Sequence, residues 1–305
     1  MAVTKKQHTI PVAYIKNFTN NYSGQNLYVF STDSGEFSGG KNARNVGWRK
    51  YTYESGGPVN KLEKTIASME TEIYPYLRSL LESLARHKPM ELRDDLLKRA
   101  IILQHLRTFD GRIKIGQLLN NIRIANKPID LNTLENDQED VLTGNRALDS
   151  PSGLKQVMML IPAFDKSKVY IGQACNGREF ITSDSPVSTY RFSNDQMLFT
   201  LPISQRYCLF WLPDSDIPVF QNHIAEIGID IVDNVNWATI NNAEYVILSG
   251  SPFSIADIYA LSEVYNSNNA RGLKSPLLSR MRKLVFGLHL LPSEPIYFDT
   301  DRKPR

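Results

Sequence analysis

Cysteine is nearly missing: only Cys175 and Cys208 occur in 305 residues. Two thiols cannot build a disulfide framework or a structural zinc cage, so a reducing cytoplasm is the expected home. Long apolar runs are missing too. No stretch approaches the roughly 20 residues that span a bilayer, so no membrane partner is expected. The opening, MAVTKKQHTIP, lacks the long apolar core of a secretion signal. No GxGxxG, HExxH, GxSxG or CxxC is present. That counts against the commoner dinucleotide enzymes, zincins and α/β-hydrolases. One near-match fails on context. Gly35, Gly40 and Lys41 have the spacing of a phosphate-binding loop, but Asn42 stands where Ser or Thr must reach magnesium. The following ARNVGWRKY is a poor helix, so no helix N-terminus would face the phosphates.

Charge is close to balanced, with a formal net of +3. Its distribution is less even. From Arg271 to Arg305 there are eight Lys or Arg against three Asp or Glu, which leaves that tail at +5 and the remainder at −2. A second basic cluster, Lys41, Arg44, Arg49 and Lys50, is interleaved with Trp48, Tyr51 and Tyr53. Mixed basic and aromatic side chains suit a phosphate backbone with exposed bases, and equally suit a solvated surface.

What is present is an ordinary globular composition, 42% apolar and 22% charged. The expected organisation is a single domain over 1–305, with the polar, turn-rich stretch 126–155 as the place where it could divide. Pro11 suits the first turn of a short helix carrying Val12, Ile15 and Phe18. Leu27 to Ser31 reads as a strand, with Gly35, Gly39 and Gly40 marking a turn region after it. A long helix is expected from Asn60 to Arg86, with Leu62, Ile66, Met69, Ile73, Leu77, Leu80 and Leu84 on one stripe. A second is expected from Met90 to Asn121, with Leu96, Ala100, Leu103 and Leu106 inward. The short HKP break between them predicts a helical hairpin. Later segments read as strands at 157–161, 169–172, 180–183, 197–201, 207–212 and 245–249. Pro213 to Asp216 reads as a turn, and helices are expected at 219–227, 229–243 and 255–265. Helices early and strands later give an α+β fold: a long antiparallel hairpin from the N-terminal half, packed on a mixed or antiparallel sheet from the C-terminal half.

Several polar residues stand where apolar ones would be cheaper. Glu63 and Glu70 are seven apart, so on a helix they share a face within about 20°. Such a pair can hold a hard cation, provide a general base, or form a solvated flank. Gln104 and Arg107 fall near the apolar side of the second helix. A buried guanidinium must find an anion: Glu63, Glu70, Asp184, or a substrate phosphate. Thr182 and Asp184 sit where a strand runs into Pro186, a position that suits a metal ligand, a base or an Asx turn. His8 precedes an apolar helix and titrates near neutrality, so it suits a proton carrier or a satisfied structural histidine. Asn236 and Asn241 suit hydrogen bonding on a helix. The run Glu135, Asp137, Glu139, Asp140 lacks calcium-loop spacing and reads as a solvated loop.

These pieces, in order, resemble a known family. QHTIPVAYIKNF (7–18), the residues 42–47, Leu62-Glu63 with Glu70, Gln104-x-x-Arg107-Thr108, ITSDSP (181–186), LPIS (201–204) and the late Asn236 and Asn241 are similar to the domain of unknown function 4238. The resemblance covers roughly residues 7–250. Phe109 departs from the Pro that relatives often carry after Arg-Thr. The resemblance implies a stand-alone protein with some relatives in anti-phage defence, and it carries no catalytic assignment.

The expected function is a defence or toxin-like enzyme that cuts nucleic acid. In that reading Glu63, Glu70 and Asp184 hold Mg²⁺ or Mn²⁺ or act as base. Arg107 stabilises the phosphorane, His8 carries the proton, and Gln104 and Thr182 orient the others. Lys41, Arg44, Trp48, Arg49 and Lys50 would contact the nucleic acid. The alternatives are a non-enzymatic sensor with a structural polar network, and a hydrolase or transferase acting on a nucleotide or small phosphate ester.

Overall fold

The computed structural model describes residues 6–50, 53, 61–88, 91–108, 111–112, 145–146, 148–149, 167–175, 177–191, 197–213 and 224–271. The expected strand at 157–161, the acidic run at 135–140, the 126–155 stretch apart from four residues, and the basic tail beyond Arg271 lie outside them. Among the described residues the fold is mixed α+β, with five α-helices and three sheets. None of these helices is long and apolar enough to cross a membrane.

The first half supplies β1 (Lys6–His8), α1 (Val12–Ile15), β2 (Leu27–Ser31), β3 (Phe37–Lys41), β4 (Trp48–Lys50), α2 (Lys61–Ala85) and α3 (Asp94–Arg107). The second half supplies β5 (Ser167–Ala174), β6 (Thr182–Ser183), β7 (Ser188–Arg191), β8 (Met197–Pro202), β9 (Tyr207–Pro213), β10 (Ile224–Ile227), α4 (Ile229–Asn242), β11 (Val246–Ser249) and α5 (Ile255–Arg271). β1 and β4 form a two-stranded ribbon. A five-stranded sheet runs β10-β5-β9-β8-β7, and a four-stranded sheet runs β3-β2-β11-β6. Every pairing is antiparallel except β10 with β5.

α2 forms because its stripe gives one apolar face. Leu62, Ile66, Ile73, Leu77 and Leu80 are buried, while Met69 and Leu84 are partly buried against the same core. Pro75 lies inside the helix and removes one backbone donor, yet buried residues on both sides hold it continuous. α3 runs back along α2. The contacts Glu70–Arg107, Tyr74–Gln104 and Tyr76–Arg93 pair rising with falling numbers, as an antiparallel hairpin requires. Asp94 accepts from Val169 N (2.7 Å) and Lys98 Nζ donates to Ser167 O (2.6 Å), which docks α3 on β5.

The second helix is shorter than periodicity predicts. It starts at Asp94 and stops at Arg107, where Thr108 turns to an extended conformation. Thr108 Oγ1 then accepts from Gly111 N (2.9 Å), the bond of an N-cap opening a new helical turn. Residues 113–121 lie outside the description. The helix expected at 219–227 is corrected as well, because 224–227 is β10, paired with β5. β1, β3, β4 and β7 lie where the sequence pattern predicts no strand, and of 180–183 only Thr182–Ser183 is strand. Pro213, read as part of a turn, ends β9.

α4 sits between the two larger sheets. Its Val232 and Val235 pack with Cys208 and Phe210, while Ile240 and Ala243 pack with Phe30 and Ile247. The N-terminal segment is locked to the end of β11 by a close approach. A Cβ on Gly250 would stand 1.8 Å from the Phe18 carbonyl oxygen, so no other residue fits there.

Candidate functional site

The polar residues singled out by their positions fall into two separate groups. The first lies where β1, α2 and α3 meet. β1 carries Gln7 and His8, whose backbones pair with Arg49 and Trp48 of β4. α2 carries Glu63, Glu70 and Tyr74, and α3 carries Gln104 and Arg107. Arg107 joins all three elements. Its Nε and Nη2 both meet Glu70 Oε1, and its Nη1 donates to His8 O (2.8 Å) and to Tyr53 Oη (3.0 Å). Tyr53 passes its own hydrogen on to His8 O (2.9 Å). Gln7 Nε2 donates to Glu63 Oε2 (3.4 Å), and its Oε1 accepts from Tyr53 N (2.8 Å). Arg112 Nη1 donates to Arg107 O (2.6 Å) and its guanidinium lies over the Tyr53 ring. Glu63, Glu70, Arg107 and the backbone carbonyl of His8 are thus brought to one corner from sequence positions up to 99 residues apart; for His8 these contacts hold the carbonyl, not the imidazole.

Burial governs the electrostatics of this corner. It pushes the Glu70 carboxyl up, with Arg107 pulling it back down. Burial also works against the Arg107 charge, but Tyr53, Glu70 and Tyr74 outweigh it and the guanidinium is held up. The two shifts favour opposite proton positions on the pair. Two guanidinium nitrogens converge on one carboxylate oxygen, so the charged pair is the state that fits the geometry. Gln104 is buried at 1% exposure. Its Oε1 accepts from Tyr74 Oη (3.2 Å), while its Nε2 has no hydrogen-bond partner among the described residues. A buried donor without a partner costs about 1–3 kcal/mol, so it requires an explanation.

The second group is scaffolding. Asp184 Oδ1 and Oδ2 accept from Glu244 N and Tyr245 N (both 2.9 Å), and its own N–H donates to Val246 O (3.1 Å). It clamps the approach to β11 and does not share a contact with Glu63 or Glu70. Thr182 Oγ1 bonds Tyr14 Oη (2.9 Å), which also donates to Pro202 O (2.5 Å). Those bonds tie the N-terminal motif to two later motifs. Asn236 Oδ1 accepts from Ile181 N (3.0 Å) and its Nδ2 donates to Glu179 O (2.9 Å). Asn241 bonds within its own helix, to Trp237 O. The expected joining of Asp184 and Thr182 to the glutamates is therefore corrected. Backbone amides need acceptors at the strand ends, and these side chains supply them.

The metal set Glu63, Glu70 and Asp184 does not converge. Both Asp184 oxygens are taken by backbone N–H groups and Glu70 is committed to Arg107. Among the described residues no group of three His, Cys, Asp or Glu could hold a metal ion. Among the described residues these three therefore do not form a site for the expected Mg²⁺ or Mn²⁺, and no step below passes through one.

The basic cluster is also divided. Lys41 and Arg44 are exposed. Trp48 is half-buried and donates from Nε1 to Asn45 O (3.2 Å). Arg49 stacks on the Tyr245 ring and acts electrostatically on Asp184, so its charge is spent inside the fold. Lys50 places its backbone opposite Lys6 in the ribbon.

Sequence reasoning missed Tyr53, Tyr74 and Arg112. Tyr74 lies four residues after Glu70 on the same helix face, and that spacing could have found it. Tyr53 and Arg112 follow no periodic pattern.

A family model described as a protein of unknown function, DUF4238, matches residues 6–252. No curated protein matches the chain, and neither does any solved structure.

Proposed function

We propose that this chain, which belongs to the DUF4238 family, cleaves phosphodiester bonds in nucleic acid, with RNA as the preferred substrate. The observation that carries the reading is the corner itself: a fixed guanidinium, a buried Gln104 donor without a partner among the described residues, a half-buried Glu63, and β1 held there through the His8 carbonyl. An unpaired buried donor beside a positive charge is what a phosphoryl oxygen would satisfy. RNA suits the corner because its 2′-hydroxyl is an internal nucleophile that the Glu63 carboxylate could deprotonate. In the proposed step Glu63 takes the 2′-hydroxyl proton while that oxygen attacks phosphorus. The bond to the 5′-oxygen breaks, and the His8 imidazolium delivers a proton to that leaving oxygen. The product ends are a 2′,3′-cyclic phosphate and a 5′-hydroxyl. Arg107 is a positioning residue that holds the local field, and Gln104 Nε2 donates to the phosphorane oxygen. A defence or toxin-like setting is the physiological half of the same proposal.

The test is incubation of the purified full chain with end-labelled RNA and DNA, with Mg²⁺, with Mn²⁺ and with chelator. RNA cleavage that survives chelation, leaves cyclic phosphate ends and disappears in Glu63→Gln is expected. No cleavage of either polymer, or equal cleavage by Glu63→Gln, overturns the reading. Cleavage that needs Mg²⁺ overturns the metal-free step and restores a cation to the glutamates.

A second reading is favoured by a separate observation. Nε, Nη1 and Nη2 of Arg107 each already meet a protein acceptor, as in a structural lock. On that reading the chain is a non-enzymatic binding or sensing protein, and Arg107→Lys lowers the melting temperature with no catalytic loss to record.

A further inference from the structure

Away from that corner, a cleft of about 400 Å³ opens between α4 and α5. Arg178, Asp233, Trp237, Ala256, Asp257 and Ala260 line it. The volume lies within the range of small-molecule sites. What the cleft can bind follows from which of its polar groups are already used.

Arg178 is largely committed already. Its Nε donates to Asp233 Oδ1 (2.5 Å), and its Nη1 and Nη2 fork onto Asp257 Oδ2 and Oδ1 (2.9 and 2.8 Å). Both planar edges of the guanidinium are occupied. Asp257 is equally committed. It is 3% exposed, and it also accepts from Ser254 N, Ser254 Oγ and Asn236 Nδ2. Asp233 differs: its side chain is 39% exposed, and only Oδ1 goes to Arg178. Two carboxylates against one guanidinium leave the cleft at −1, with Asp233 Oδ2 as its open acceptor.

Apart from the exposed Asn234 at the rim, the remaining walls are apolar. Trp237 is half-buried, so part of its indole faces the cleft, and Ile240 lies one turn along α4. On α5, Ala256 and Ala260 are a turn apart, and their small side chains leave the space open opposite Trp237. One residue before each, Ile255 and Tyr259 are exposed at 88% and 69%, so the apolar surface continues outward. An aromatic face beside a carboxylate favours a cation, because ring quadrupole and negative charge attract the same sign. A phosphate or carboxylate ligand would meet one repulsive carboxylate and an Arg178 whose two bidentate edges are already taken.

We propose that this cleft binds a small organic cation, with its charged nitrogen on Asp233 and its apolar body between Trp237 and the two alanines of α5. The site does not depend on the cleavage reading, since no residue is shared.

The test is isothermal titration of the full chain with tryptamine and with indole-3-acetate, which carry the same ring and opposite charge. Tryptamine should bind with Kd on the order of 0.1–1 mM, and indole-3-acetate should bind at least about tenfold more weakly. Asp233→Asn keeps an oxygen for Arg178 and should weaken tryptamine about tenfold. Ala256→Leu, at an exposed position, narrows the cleft and should remove binding while leaving the melting temperature unchanged. Three results would overturn the proposal: no heat from tryptamine up to about 10 mM, indole-3-acetate binding as well as tryptamine, or unchanged affinity in Asp233→Asn.

Discussion

Two arginines hold distant elements together, and they do it differently. Arg107 is 6% exposed and meets one carboxylate, Glu70; its remaining acceptors are a carbonyl and a tyrosine hydroxyl. Arg178 is 14% exposed and meets two carboxylates, of which Asp233 reaches solvent. Removing Arg107 strands Glu70 and two neutral acceptors in the interior. Removing Arg178 leaves Asp257 with Ser254 and Asn236 still donating to it, and leaves Asp233 to water. The contrast shows that the stake in a buried ion pair is set by what its loss leaves unpaired, more than by how many charges it joins.

The largest effect should therefore come from Arg107→Ala. Breaking a buried pair by removing one partner costs about 3–5 kcal/mol. Arg107→Lys should recover little of this, because an ammonium cannot replace a fork reaching Glu70, His8 and Tyr53 at once. Denaturant unfolding of both variants checks the point. A loss under about 1 kcal/mol for Arg107→Ala would mean that the corner relaxes around the hole, and the contrast with Arg178 would collapse.

A buried carboxylate with no arginine fork sharpens the comparison. Burial raises the Asp184 carboxyl to about 6, with backbone N–H groups of Glu244 and Tyr245 and the charge of Arg49 pulling it back. An unfolded Asp titrates near 3.8. Folding therefore takes up a proton between those values. The stabilisation from that proton is fully present below about pH 4 and is lost as pH rises through about 6, at most about 3 kcal/mol for two pKa units. Asp184→Asn should remove this window from the pH profile of the unfolding free energy. It should also cost about 1–3 kcal/mol at neutral pH, because one backbone N–H would face an amide donor. A wild-type profile that rises between pH 4 and 7 would mean the backbone donors outweigh burial. Arg178→Ala comes next, at about 1–2 kcal/mol, since Asp257 keeps other donors.

Sequence patterns reached the hairpin and the corner to different depths. The stripe of α2 was visible because every third or fourth residue from Leu62 to Leu80 is apolar, and helical packing needs nothing else. The pairing of Glu70 with Arg107 was legible for a related reason: each is polar beside an apolar stripe and needs a partner there. Asp184 showed the same local signal and belongs elsewhere. A carboxylate at a strand end looks the same whether it binds a metal or two backbone amides, and the residues deciding between them, Glu244 and Tyr245, lie 60 positions away. β1, β3 and β4 were illegible because strands of three to five residues, one of them holding Gly39 and Gly40, carry too few positions for alternation to show. The stop at Arg107 was missed because apolar periodicity says nothing of a Thr108 hydroxyl that caps the next turn.

Glu63 should give the smallest change in stability, and it separates a lock from a site. It stands on the same helix face as Glu70 and is half-buried as Glu70 is, but Gln7 Nε2 bonds it at 3.4 Å where Arg107 grips Glu70 with two nitrogens. Glu63→Gln keeps an oxygen for Gln7, so unfolding should shift by less than about 1 kcal/mol. The same variant should lose RNA cleavage by about 10²–10⁴-fold, because an amide cannot take the 2′-hydroxyl proton. Glu70→Gln should do the reverse: a clear fall in stability, and a loss of cleavage no larger than a displaced Arg107 accounts for. If both glutamates prove equally destabilising when neutralised, the corner is a single ion-pair lock. The half-exposed carboxylate then has no chemical role, and the non-enzymatic reading takes over.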